Sequence, residues 1–208
     1  YFTRGIRVYS FTTRTINVVT RILSFLAFQR PGELSDVKLA NRLGTSPTKV
    51  RQILDGLEKT QVIFSVKPYA GAGKTVRKPW KYYFLTPTIS AAIRYKLGRL
   101  SYRSAQTLGE LVEGLVASYF IRIKDTMGLP SGIFYDARKG GVDFLLYDAA
   151  TDKVIPIEVG IGKKKREQVA NAIEHYNSEY GVVISESELS FDKESKVISL
   201  PLKLFLFI

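Results

Sequence analysis

The chain has 208 residues, 45% of them hydrophobic, with no cysteine, one methionine and one histidine, His175. That is enough apolar material for one large or two small domains, and it excludes wholesale disorder, disulfide frameworks, thiolate metal sites, a thiol nucleophile and a histidine-based metal cluster. The net charge of +12 is one-sided: residues 1–104 hold 19 Lys and Arg against 4 Asp and Glu, residues 105–208 hold 12 against 15, and this marks the first half as polyanion-binding, most often for nucleic acid.

In chain order, residues 16–29 carry an apolar stripe (Val18, Val19, Ile22, Leu23, Phe25, Leu26) that predicts a helix ended by Arg30-Pro31-Gly32. Ser35 reads as the N-cap of a short helix over 36–43, with Asp36 in its first turn and Gly44 just past its end. Ser46 and Pro47 open a third helix, whose inner face is Val50, Ile53, Leu54 and Leu57. Two short helices joined by a glycine turn form a helix-turn-helix pattern. The outward side chains Thr48, Lys49, Arg51 and Gln52 are the types that reach phosphates and base edges. Strand-like runs at 61–67 and 80–85 flank a glycine-rich basic stretch, 68–79, which reads as a wing with Lys74, Arg77 and Lys78 as phosphate contacts.

Gly71-Ala72-Gly73-Lys74-Thr75 mimics the end of a phosphate-binding loop. Pro68 stands where that loop needs glycine, and Val76-Arg77-Lys78-Pro79 prevents the helix that must follow, so no nucleotide is expected to bind here.

A helix-prone connector over 88–103 leads to a long helix over 107–127. Strands follow at 133–135, 142–147 and 154–159, then a helix over 165–180 and strands at 181–184, 197–201 and 204–208, an α/β sandwich order. The six-residue link 148–153 predicts a hairpin in which paired residue numbers sum to 301. Phe144 then faces Ile157, Leu146 faces Ile155, and Asp143 faces Glu158. Directly opposed carboxylates repel unless a cation lies between them, and the cation such oxygens prefer is Mg²⁺ or Mn²⁺. No apolar run approaches the ~18 residues of a membrane span. Tyr1 opens a segment unlike a signal peptide and no initiator methionine is present, so the expectation is a cytoplasmic fragment of a longer protein. Scarce Cys, Met and His point to a thermophilic source.

Leu108-Gly109-Glu110-Leu111-Val112-Glu113-Gly114-Leu115-Val116, Val142-Asp143-Phe144, Ile155-Pro156-Ile157-Glu158-Val159 and Lys81-Tyr82-Tyr83-Phe84 occur in an order that resembles the C-terminal region of archaeal and bacterial AAA+ ATPases. There a winged helix precedes a module of the PD-(D/E)XK nuclease-like superfamily. The resemblance covers nearly the whole chain and lacks the ATPase part. It implies that Glu113, Asp143 and Glu158 match the acids that hold a metal and activate water for phosphodiester attack. Gly160 stands where the lysine of the E-x-K motif belongs, and Gly141 replaces an acid often found before Val-Asp-Phe. Lys163, Lys164 or Lys165 would have to substitute, with Lys163 the nearest. Gln168 and Tyr176 resemble positions that some relatives use near DNA, or serve packing.

The expected organisation is therefore a winged helix over 1–87, a helical connector over 88–106 and a PD-(D/E)XK-like α/β domain over 107–208. The leading expectation is a double-stranded-DNA-binding protein whose nuclease core is degenerate or weakly active, with an ATPase domain as partner in a longer chain. The alternatives are an active Mg²⁺-dependent endonuclease with a migrated lysine, and a protein–protein assembly module.

Overall fold

Ser35 and Ser46 start two helices in the way their side chains predict. A computed structural model describes residues 13–28, 35–70, 79–127, 131–162 and 166–207. They divide into two units, the first from the described residues of 1–65 and 79–100, the second from those of 66–78 and 101–208.

In the first unit, α1 spans Thr13–Phe28, α2 Asp36–Leu43 and α3 Pro47–Lys59. The Ser35 hydroxyl accepts the Lys38 N–H at 3.4 Å, and the Ser46 hydroxyl accepts the Lys49 N–H at 3.2 Å, which satisfies donors that a helix start leaves open. Gly44 ends α2 at φ 63°, a left-handed conformation that glycine adopts without steric cost. Ile22, Leu39, Leu43, Val50, Ile53 and Leu54 bury together with Ile63 and Phe84. Truncating any one of the larger members to alanine would cost about 2–5 kcal/mol. Strands β1 (Ile63–Pro68) and β2 (Lys81–Phe84) are neighbours, and the Leu85 N–H donates to the Val62 carbonyl at 3.0 Å. Helix α4 (Pro87–Lys96) is capped by Thr86 and stops short of the predicted 103, because Gly98 turns the chain at φ 66°.

The second unit is a mixed sheet flanked by helices. Helix α5 (Ala105–Met127) precedes β3 (Ser131–Tyr135), β4 (Phe144–Asp148) and β5 (Lys153–Val159). Helix α6 (Glu167–Tyr176) leads into β6 (Gly181–Ser185), β7 (Ser190–Asp192) and β8 (Val197–Pro201), with α7 (Leu202–Phe205) last. The order is β1–β3–β4–β5–β6–β8–β7, where β1 contributes Lys67 and Pro68, parallel to Phe134 and Tyr135. The pairs Phe144–Ile157 and Leu146–Ile155 match the expected register. Neighbouring residues on a strand point to opposite faces. Leu145 packs with Val169, Ala172 and Ile173 of α6, whereas the Phe144 ring meets Phe120 of α5 at 6.1 Å. Helices α5 and α6 therefore cover opposite faces of the sheet.

Two expectations need correction, and one element is new. The tail 204–208, read as a strand, begins instead within the helical turn α7, and the described residues after it form no strand. Phe205 is buried against Tyr119 and Phe120, and the Tyr119 hydroxyl donates to the Leu206 carbonyl at 2.6 Å, so packing on α5 overrides the strand-like alternation of Leu and Phe. Helix α6 ends at Tyr176 rather than 180, because Asn177 turns left-handed at φ 51°. The short edge strand β7 was not foreseen.

Candidate functional site

Thr48, Arg51 and Gln52 stand exposed on α3, and Lys49 is half-buried beside them. Arg51 forms an ion pair with Asp36 of α2, and that hydrogen bond, aided by the carboxylate charge, raises the guanidinium pKa above its ordinary value. Asp36, read as a helix-dipole residue, thus also ties α2 to α3. The wing residues Lys74, Arg77 and Lys78, and Lys163 at the E-x-K position's flank, lie outside the described residues. Tyr69, placed by sequence in the wing, belongs to the second unit, where it packs against Phe134, Tyr147 and Tyr176 with ring centroids 5.5–6.4 Å apart.

The acids implied by resemblance come from three elements. Glu158 is buried in β5 at 4% exposure, opposite Val183 of β6. Val183 packs with α6, so the Glu158 side chain leaves the sheet on the α6 side. Asp143 does not enter the ladder, whose last pair is Phe144–Ile157. Its Oδ2 instead accepts the Val159 N–H at 2.8 Å, which fastens the entry of β4 to the end of β5. Glu113 is half-buried on α5, the helix of the opposite face. Among the described residues, no group of three Asp, Glu, His or Cys side chains is placed to hold a metal ion. Asp143 is engaged with a backbone amide, and Gly160 supplies no side chain beside Glu158.

A different constellation is built at the end of β3 that leads into β4. The Asp136 side chain is fully buried. It accepts hydrogen bonds from the Arg138 backbone N–H at 3.1 Å, Arg138 Nε at 3.0 Å, Arg138 Nη2 at 2.6 Å and the Tyr176 hydroxyl at 3.0 Å. The Arg138 guanidinium also lies 4.7 Å over the Tyr176 ring, a favourable cation–π distance. Burial pushes the Asp136 carboxyl up, but the Arg138 and Tyr176 hydrogen bonds outweigh it and hold the group below its usual range. Burial, then the Asp136 charge, pushes the Tyr176 hydroxyl up to about 12. Gln168 Nε2 donates to the Gly141 carbonyl at 2.6 Å, which ties the same loop to α6. A Cβ on Gly141 would lie 2.4 Å from Asp136 Cγ, so the carboxylate fills the place of a side chain at 141. Gln168 and Tyr176 thus act as packing residues of this loop. Sequence reading missed Asp136 and Arg138; their only local signal is the Asp-x-Arg spacing before Gly140-Gly141, typical of a side-chain-capped turn.

No protein-family model and no solved structure matches the chain. It is 31% identical over 201 residues to an uncharacterized protein of Methanocaldococcus jannaschii, a match that covers 97% of the chain and 41% of that protein. The chain therefore spans less than half the length of this relative. Among the described residues, no helix is long and apolar enough to cross a membrane.

Proposed function

We propose that the helix-turn-helix of the first unit, with the basic stretch 68–79 as its wing, binds duplex DNA through α3, and that the second unit is a PD-(D/E)XK-like core which retains Asp143 and Glu158 as structural acids and does not cleave. The observation that carries this reading is α3 itself. Capped by Ser46 and held to α2 by the Arg51–Asp36 pair, it turns Thr48, Arg51 and Gln52 outward in a half of the chain with 19 basic and 4 acidic residues. Phosphate contacts supply most of such affinity, and base edges the selectivity. The degenerate-core part is supported by the engagement of Asp143 with the Val159 amide and by glycine at position 160. In this reading the chain is the C-terminal part of an AAA+ ATPase, as the ordered motifs of the sequence imply.

The test is fluorescence anisotropy with a labelled duplex, titrated at several salt concentrations. Binding is expected to weaken steeply with salt, and the variant Arg51→Glu/Lys74→Glu/Arg77→Glu to bind at least about tenfold more weakly. Equal binding by that variant refutes the docking surface, and affinity independent of salt would favour protein assembly instead. A supercoiled plasmid incubated with Mg²⁺ or Mn²⁺ should remain intact. Cleavage abolished by Asp143→Asn would restore the active-nuclease alternative.

A further inference from the structure

A cavity of about 560 Å³ in the first unit lies between α1, the end of α2 and the turn after α4. Phe25, Phe28 and Leu97 supply apolar wall, and Arg21, Arg42 and Arg99 supply guanidinium groups. Among the described residues no acidic side chain lines it. We propose that this cavity is a binding site for a small amphipathic organic anion, a carboxylate or phosphate head on an aromatic or aliphatic body, separate from the DNA-binding face.

The cations are fixed in place before any ligand arrives. Arg21 donates through Nη1 to the Leu43 carbonyl and through Nη2 to the Arg42 carbonyl, each at 3.3 Å, so it caps the C-terminal end of α2. Arg42 lies 5.7 Å over the Phe25 ring, and Arg99 lies 5.7 Å over the Phe28 ring. Arg94, itself buried, reaches the same Phe28 ring at 5.3 Å. Cations stacked on aromatic faces lose less side-chain freedom when they then grip an anion, and the guanidinium fork matches carboxylate and phosphate oxygens in pairs. Leu97 remains 49% exposed on the rim. The volume falls in the range of small-ligand pockets, about 300–1,000 Å³, where a few placed polar groups orient an otherwise apolar body. An inorganic ion would leave Leu97 uncovered, and a neutral apolar molecule would make no use of the lining arginines. An anion with an apolar body answers both. No residue of α3 lines the cavity, so its ligand need not compete with DNA.

The experiment titrates 8-anilino-1-naphthalenesulfonate, an aromatic anion, into the chain and follows its fluorescence. Saturable binding at one site is expected, weakened at least about tenfold in Arg42→Ala/Arg99→Ala and likewise in Leu97→Glu, both exposed changes that leave the helical circular dichroism intact. Displacement is then measured with phenyl phosphate, phenylacetate and inorganic phosphate. Either aromatic anion displacing the probe supports the site and identifies its preferred head group. Inorganic phosphate displacing as well as phenyl phosphate overturns the amphipathic assignment. Binding unchanged in the arginine variant, no saturable binding, or displacement by duplex DNA each overturns the proposal. The Arg51→Glu/Lys74→Glu/Arg77→Glu variant should bind the probe normally, which separates failure of this site from failure of the DNA reading.

Discussion

Gly141→Ala is a sharp test of the Asp136 loop, because the added methyl has a stated obstacle. Its Cβ would sit 2.4 Å from Asp136 Cγ, 2.7 Å from Oδ2 and 2.8 Å from Cβ, so the whole short side chain must move and not merely its tip. Overpacking of this kind costs about 1–3 kcal/mol. Displacing the carboxylate also weakens charge-assisted bonds to Arg138 and Tyr176, each worth about 1.5–3 kcal/mol where both groups are desolvated and less for a guanidinium with 35% of its side chain exposed. Replacing glycine offsets only about 0.4–1 kcal/mol through the unfolded chain. A net loss of about 2–3 kcal/mol is expected. Asp136→Gly alone should cost a similar amount through the lost hydrogen bonds. Since it also removes the obstacle, the double variant should cost no more than Asp136→Gly, a coupling of about 2 kcal/mol. Urea denaturation followed by far-ultraviolet circular dichroism, with hydrogen exchange at the β4 and β5 amides to isolate the second unit, gives the four free energies. Additive losses, or a neutral Gly141→Ala, would mean that the Asp136 carboxylate does not fill the space at 141.

Asp136 also predicts an acid response. Its folded pKa lies below the unfolded value of about 3.9, so its contribution is fully present above that value and is lost as pH falls through the lower folded pKa. Urea midpoints between pH 6 and 2.5 should drop steeply at the acid end, and Asp136→Asn should flatten that drop. Phe205→Ala should cost about 3–5 kcal/mol in the same denaturation assay, because it empties the contact with Tyr119 and Phe120; a change under 1 kcal/mol would mean α7 is not docked. Asp143→Ala should lower stability by about 1–2 kcal/mol and speed exchange of the Val159 amide, whose acceptor it removes. An increase in stability would restore the picture of two repelling carboxylates.

Local chemistry explains what the sequence made legible. The caps of α2 and α3 depend on a serine and the amides three residues on, so spacing alone reveals them. The β4–β5 register follows from an even link and the apolar period of two, and Phe144–Ile157 and Leu146–Ile155 pair accordingly. The expectation stopped holding one residue further out, where Asp143 bonds an amide instead of extending the ladder, a choice that alternation of side chains cannot encode. The tail misled for a related reason: a short, wholly apolar run suits a buried strand, and only the aromatic surface of α5, 87 residues earlier at the Tyr119–Leu206 bond, selects the helical turn. The Asp136–Tyr176 bond joins residues 40 apart, so no window of sequence contains it.

The carboxylate of Asp136 occupying the room at position 141 makes those two positions historically dependent on each other. A lineage that carries glycine at 141 is free to bury an aspartate at 136. Once Arg138 and Tyr176 have closed around that aspartate, an acid at 141 has no space. Placing an acid at 141 would first require loss of Asp136, and that intermediate is less stable. Homologous sequences should accordingly show an acid at one of the two positions and glycine or another small residue at the other, with both acids together absent. The loop locks itself: the room at position 141 is held by the side chain that fills it.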